Sequence, residues 1–504
     1  MFRNPVIPGF APDPSVVLVD GIFFLATSSF HFFPGIPIYA SVDLQNWAHI
    51  AMPLDDGNTM VASGGLFAPT IRYNDGAFYI VCTNCYHGHD NWKTDNFLIT
   101  TRDIWSNKWS DPVHFSFYGI DPSLFFDDDG RAFIQGSWLI DRMKQPSCTI
   151  KQFEIDITNG KHLSDTHEIW TGFAKRDTEG PHIYKKDGWY YLLVAEGGTF
   201  EHHMLSIARA RDIWGPYESC PQNPIMTADG TEEYVQNIGH GEIFQDASGN
   251  WWAAVLGVRE NNGKQPMGRE TFLTTVDWPI DEWPVIQQPR MSLASTRTLP
   301  GSTPAFLDKL RSIRPNVADL YLHLPVGYDA YSSPTCVVLQ PTKNDLSSSH
   351  GTALLARRQR SVNSVASTTV GLPANKAEAQ NVVAGLTVYK DPLRHLSIIV
   401  DLATRLLSVN FVDASKDYTF TAVNPDPMPQ STRAVEMRIV SSPAQYEFTY
   451  RLEEGKEWMT VGSADAALLS AKDFTGSVFG VFAVCEQGET HTAKVSFSNF
   501  IVED

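Results

Sequence analysis

One phrase recurs five times in the first half of the chain: a turn-like start, a short apolar run, an Asp-Gly or Ser-Gly dipeptide, then aromatics. The copies are DPSVVLVDGIFFL from Asp13, APTIRYNDGAFYI from Ala68, DPSLFFDDDGRAFI from Asp121, EGPHIYKKDGWYYL from Glu179 and HGEIFQDASGNWWA from His240. Successive starts lie 55, 53, 58 and 61 residues apart, by subtraction of those positions, a period that fits stacked or ring-arranged repeats. Three of the five begin with a carboxylate. In a ring around one axis, Asp13, Asp121 and Glu179 would meet at one central spot from different walls.

The dipeptides Asp20-Gly21, Asp75-Gly76, Asp129-Gly130, Asp187-Gly188 and Ser248-Gly249 suit two-residue turns of positive φ, so each predicts a tight antiparallel hairpin. Further strand-like stretches follow: Ile36 to Ala40, Phe97 to Arg102, one from near Ile150, Met204 to Arg209, and Thr271 to Val276. About four strands per repeat is the blade of a β-propeller, and five blades would occupy residues 1–295. From Trp278 to Pro304 the chain turns proline-rich and small-polar, which reads as a boundary strap. Residues 304–504 alternate as Ala353 to Arg357, Ala366 to Val370, Val383 to Tyr389, Leu396 to Val400, Leu407 to Val412, Ala434 to Ile439, Tyr446 to Arg451 and Ser477 to Val484, the pattern of a β-sandwich. The fold class is all-β in two domains, as the length of 504 residues also favours.

A net charge of −18 without any Lys/Arg-rich run argues against a nucleic-acid or anionic-membrane partner and favours a neutral ligand. No stretch has the length of a transmembrane helix, and MFRNPVIPGFAPDP lacks the apolar core of a signal peptide. The expectation is a cytoplasmic protein, or a secreted one whose leader has been removed. Cys82 and Cys85 form a C-x-x-C with no second pair to complete a zinc site, so the six cysteines read as thiols rather than as a metal or disulfide framework.

Phe30, Phe32, Phe33, Phe67, Tyr86, Trp92 and Trp138 flank the repeat starts, and an aromatic cavity with a few carboxylates suits a sugar. The bland reading is that Asp-Pro merely opens turns. Cleaving a glycosidic bond with inversion takes one carboxylic acid to protonate the departing oxygen and one carboxylate to deprotonate a water on the opposite face, about 6.5–9.5 Å apart. Opposed walls of a ring supply that separation. A third carboxylate near the acid raises its pKa and keeps it protonated.

GFAPDPSV, GIDPSLFFDDDGR, TEGPHIYKKDGWYYL and GHGEIF, in that order, resemble the blade motifs of glycoside hydrolase family 43. The resemblance implies a five-bladed propeller that removes pentose units from xylan or arabinan with inversion. It makes Asp13 the general base, Asp121 the pKa modulator and orienting residue, and Glu179 the general acid. SSFHFFPGIPIYAS points to Phe30 as the ring that packs on the sugar; GLFAPT makes Phe67 a pocket wall where many members have tryptophan; Arg269 in GRET matches an arginine that bonds sugar hydroxyls. His240 matches a histidine at the axis that in some members organises a bound calcium or water, so no cofactor is required and a structural Ca²⁺ near His240 is the one metal the resemblance suggests. ALLARRQRS, AGLTVYKD and FTGSVFGVFAV resemble the concanavalin-like sandwich of longer β-xylosidases and α-L-arabinofuranosidases. The implied substrate is a xylan- or arabinan-derived oligosaccharide with a terminal xylose or arabinose.

Two other classes compete. A retaining β-fructosidase also joins propeller and sandwich, but its first blade carries Asn-Asp-Pro-Asn, whereas Asp13 lies between Pro12 and Pro14. A non-catalytic carbohydrate-binding propeller would leave the acidic positions free to vary, yet all three are filled.

Overall fold

The computed structural model describes residues 2–54, 64–87, 92–293, 303–313, 316–322, 329–348, 351–375, 379–452, 455–485 and 493–504. The Trp92 side chain and residues 294–302 of the expected strap lie outside them. The chain divides into two compact units, Met1–Arg259 with Arg269–Val317, and Glu260–Gly268 with Ala318–Asp504.

Among the described residues, five antiparallel sheets of the first unit are built on one plan. Their leading hairpins are Ser15–Val19 with Ile22–Ala26, Gly65–Asn74 with Ala77–His87, Gly119–Phe126 with Ala132–Leu139, Glu179–Lys186 with Trp189–Glu196, and Val235–Gln245 with Trp251–Arg259. A third and a fourth strand extend each sheet outward, and the fourth sheet gains the short Met226–Thr227. The five leading strands touch in cyclic order, the fifth meeting the first. Gly65–Ile71 and Asn237–Phe244 are buried without a break along these strands.

Three of the five hairpins turn as the dipeptides predict, with both residues left-handed: Asp20 and Gly21 at φ 49° and 77°, Asp75 and Gly76 at 46° and 73°, Asp187 and Gly188 at 52° and 70°. The other two are wider. Only Gly130 and Gly249 are left-handed there, and the closing bonds run Asp127 N to Arg131 O and Asp246 N to Asn250 O, both 2.9 Å. An aspartate side chain organises the second of these turns, Asp246 accepting the Ser248 and Asn250 amides at 2.9 Å.

Among the described residues the second unit has a seven-stranded sheet and a six-stranded sheet. Half-buried strands such as Val365–Gly371 and Ala434–Ser441 alternate inward and outward residues, and Leu386, Ile398, Phe411, Met437, Phe448 and Phe497 share the core between the sheets. All eight strands expected here are present within a residue or two at each end. Asp329–Ser333, Cys336–Leu339, Tyr418–Val423, Met459–Asp465 and Val495–Glu503 are strands that the sequence reading does not include; of these Tyr418–Val423 and Met459–Asp465 are edge strands, largely exposed and without an apolar alternation to reveal them, whereas Val495–Glu503 lies inside the seven-stranded sheet. A helix at Pro304–Arg311, opened by the Thr303 hydroxyl on the Phe306 amide at 3.2 Å, follows the strap. The six cysteines are free thiols.

Candidate active site

Asp13, Asp121, His240 and Arg269 are brought together, none more than 6% exposed. His240 Nδ1 stands 3.6 Å from Asp13 Oδ1 and 3.8 Å from Asp121 Oδ2. Arg269 reaches Asp13 Oδ1 at 3.4 Å and donates to Thr199 Oγ1 at 2.9 Å. The other oxygen of Asp13 accepts from the Ser28 hydroxyl at 2.5 Å, and Ser28 in turn accepts the Ala68 amide at 2.7 Å. Asp121 accepts the Gly180 amide at 3.0 Å, so the residue after Glu179 is tied to the second carboxylate. Glu179 itself keeps partial exposure.

The backbone that delivers these groups repeats a local kink. Asp13, Ala68, Asp121, Gly180 and His240 are all left-handed, at φ 57°, 39°, 54°, 55° and 27°, each just before a proline or glycine. In the second to fifth sheets the pairing register shifts across this point, the mark of a β-bulge. Such a conformation costs a non-glycine residue about 1–3 kcal/mol, which the surrounding structure must offset. The five kinks correct the alignment read from the first letters of the repeats. Glu179 is not equivalent to Asp13 and Asp121 but stands one residue earlier, in the position of Pro12, Phe67, Ile120 and Gly239. Glu179 therefore precedes its kink, whereas the two aspartates stand on theirs.

Electrostatics separates the three carboxyls. Burial alone would raise Asp13, but Arg269, His240, the Ser28 hydroxyl and His203 outweigh it and hold it below the usual carboxylate range. Asp121 is pushed up to about 6, by burial first and by the Asp13 charge, with His240 pulling against them. Glu179 is raised well above its ordinary value by burial, then by repulsion from Asp121, Asp177 and Asp13, which Arg269 only partly offsets. The two carboxyls are therefore displaced in opposite directions, Asp13 toward the ionised form and Glu179 toward the protonated one, the division of labour that acid–base chemistry needs.

The wall beside them is aromatic. Phe30 and Phe67 have ring centroids 4.5 Å apart, and the Arg269 guanidinium lies 5.1 Å from the Phe30 centroid. Phe30 and Leu66 exchange backbone bonds of 3.0 and 3.2 Å. Gly65 makes this approach possible: a Cβ there would lie 1.8 Å from the Phe30 carbonyl carbon, and its φ is 112°.

A calcium ion takes about six to eight oxygen ligands. Beside His240 the carboxylates of Asp13 and Asp121 are already engaged by Ser28, Arg269 and the Gly180 amide. Among the described residues no three or more His, Cys, Asp or Glu side chains are disposed to hold a metal. By themselves these residues do not build a calcium cage.

Sequence reasoning brought forward the carboxylates, Phe30, Phe67, His240 and Arg269, and missed Ser28, Asp177, Thr199 and His203. His203, whose Nδ1 lies 3.0 Å from the Asn237 carbonyl, is pushed down to about 3, chiefly by burial. The one available signal was the Gly197-Gly198 pair, both left-handed, which turns the chain so that Thr199 meets Arg269.

The family model for glycosyl hydrolases family 43 matches residues 2–284, and that for the beta xylosidase C-terminal Concanavalin A-like domain matches residues 321–503. A non-reducing end alpha-L-arabinofuranosidase of Bacteroides ovatus is 30% identical over 99% of this chain and 94% of its own length. A xylosidase/arabinosidase of Humicola insolens is 31% identical over 99% of this chain and 97% of its own. The crystal structure of a xylan beta-1,4-xylosidase from Bacillus halodurans superposes with a TM-score of 0.89 at 29% identity, covering 100% of both chains. The chain belongs to glycoside hydrolase family 43 and carries that family's concanavalin-like C-terminal sandwich.

Proposed function

We propose that this enzyme removes single terminal xylose or arabinose units from xylan, arabinoxylan or arabinan oligosaccharides with inversion, in a five-bladed propeller spanning residues 1–295 that precedes an accessory sandwich, 304–504. The closed cycle of leading strands supports the propeller. The observation that carries the chemistry is the opposed displacement of Asp13, buried beside Arg269 and His240, and of the part-exposed Glu179, which the charges of Asp121, Asp177 and Asp13 repel. Asp13, ionised, takes a proton from the attacking water. Glu179, protonated, gives its proton to the departing oxygen. Asp121 holds the Gly180 amide and, by its charge, keeps the proton on Glu179. Phe30 and Phe67 receive the apolar face of the sugar and Arg269 its hydroxyls. The pairing of xylosidase and arabinosidase in a relative's name supports acceptance of both pentoses. Hydrolysis of the two matching nitrophenyl glycosides measures each.

Proton NMR of the first product is expected to show the anomer opposite to the substrate's. Net retention would remove Asp13 from the role of base and favour a covalent route.

The pH profile of kcat/KM follows from the same displacements. Asp13 must be ionised, so activity is lost as pH falls through its lowered pKa; Glu179 must be protonated, so activity is lost as pH rises through its raised one. Asp121→Asn keeps an acceptor for the Gly180 amide but removes a repelling charge, and the alkaline limb is expected to move to lower pH. An unmoved limb would show that Asp121 does not set the acid's pKa.

A further inference from the structure

Strand pairing sets Glu179 opposite Ala195, and the next residue, Glu196, ends the same strand, fully buried. Its carboxylate gathers one loop. Oε2 accepts the Phe173 amide at 2.9 Å; Oε1 accepts the Ala174 amide at 2.9 Å, the Lys175 amide at 3.0 Å and the Thr178 hydroxyl at 3.2 Å. Successive amides converging in this way make an anion-binding nest, filled here by a side chain of the protein itself. Gly172, at φ 85°, begins the wrap: a Cβ there would lie 2.2 Å from Glu196 Oε1.

The loop so gathered runs directly into Glu179. The Thr178 carbonyl accepts from Ser137 Oγ at 2.7 Å, and the Asp177 amide donates to Ser147 Oγ at 2.7 Å. On the far side, the Gly180 amide is held by Asp121. Both peptide neighbours of Glu179 are thus anchored, one by Glu196 and Ser137, the other by Asp121.

We propose that Glu196 is a positioning residue for the reaction: by folding residues 172–178 around its carboxylate, it sets the direction from which Glu179 reaches the leaving oxygen. The inference rests on Glu179 being the general acid. Glu196→Gln keeps the shape but turns an NH₂ toward donors, so the nest opens, and a displacement of about 1 Å at a reacting group costs up to about 10²-fold.

The test compares a pentose disaccharide that the wild type cleaves, whose sugar leaving group needs the proton, with the matching dinitrophenyl glycoside, whose leaving group hardly does. For E196Q, kcat is expected to fall at least about tenfold further on the disaccharide than on the aryl glycoside. T178V, which removes one bond of the nest, is expected to show the same bias and T178S to restore the wild-type ratio. If E196Q fails to fold, the T178V and T178S pair decides by the same comparison. Equal losses on the two substrates, or no loss, while E179Q retains its bias, would overturn the positioning role. Equal losses in E179Q itself would instead remove the general-acid reading, and this proposal with it.

Discussion

Asp13→Asn is expected to lower kcat by about 10²–10⁴-fold on every substrate, whatever its leaving group. The water must lose a proton before or as it bonds to the anomeric carbon, and an amide in place of the carboxylate cannot take that proton. Asp13 is suited to the task because Arg269, His240 and the Ser28 hydroxyl hold it ionised despite burial. The substitution leaves an acceptor for the Ser28 hydroxyl yet strips the counter-charge from Arg269, so some stability is lost along with activity. Kinetics on a nitrophenyl glycoside and on an oligosaccharide, with thermal unfolding in parallel, separates the two effects. The expected pattern is a folded protein equally crippled on both substrates. An Asp13→Asn enzyme within tenfold of wild type on either one would exclude Asp13 as the base.

What the sequence could disclose follows from how each feature is encoded. Strands buried without a break and turns of the Asp-Gly type leave dense local signals, and the five hairpins were visible from them. Where one face is solvated and the strand lies at an edge, as at Tyr418–Val423, alternation is too weak to see. The carboxylates stood out because they open copies of one phrase. Their true register lay in the prolines that follow, Pro14, Pro69, Pro122 and Pro181, rather than in the first letters: these set Gly180 level with Asp13 and Asp121 and Glu179 one residue earlier, as the left-handed backbone at Gly180 shows. A glycine hides that conformation in a sequence, since it tolerates positive φ without a marker. Contacts such as Thr199 on Arg269, 70 residues apart, or the loop gathered by Glu196 have no periodicity and so no local signature.

Glu179→Gln is expected to lower kcat by about 10²-fold or more on a pentose oligosaccharide and far less on a dinitrophenyl glycoside. The first substrate expels an alkoxide that must be protonated as it departs; the second expels a phenolate that needs little help. The pH profile supplies an independent check. On the proposed mechanism the wild-type alkaline limb reports deprotonation of Glu179, and a side chain with no proton to lose cannot produce that limb, so it is expected to vanish from the variant. Stability discriminates further. Burial and the charges of Asp121, Asp177 and Asp13 raise the folded pKa of Glu179, so stability falls as pH rises from its unfolded pKa to its folded one, and the full cost persists above that. Gln matches the protonated form and carries no such cost, and the variant is therefore expected to unfold at the same temperature as the wild type or higher. A variant that lost activity equally on both substrates and also unfolded early would point to a structural defect, because loss of the proton donor alone leaves the fold unharmed and the aryl glycoside reactive.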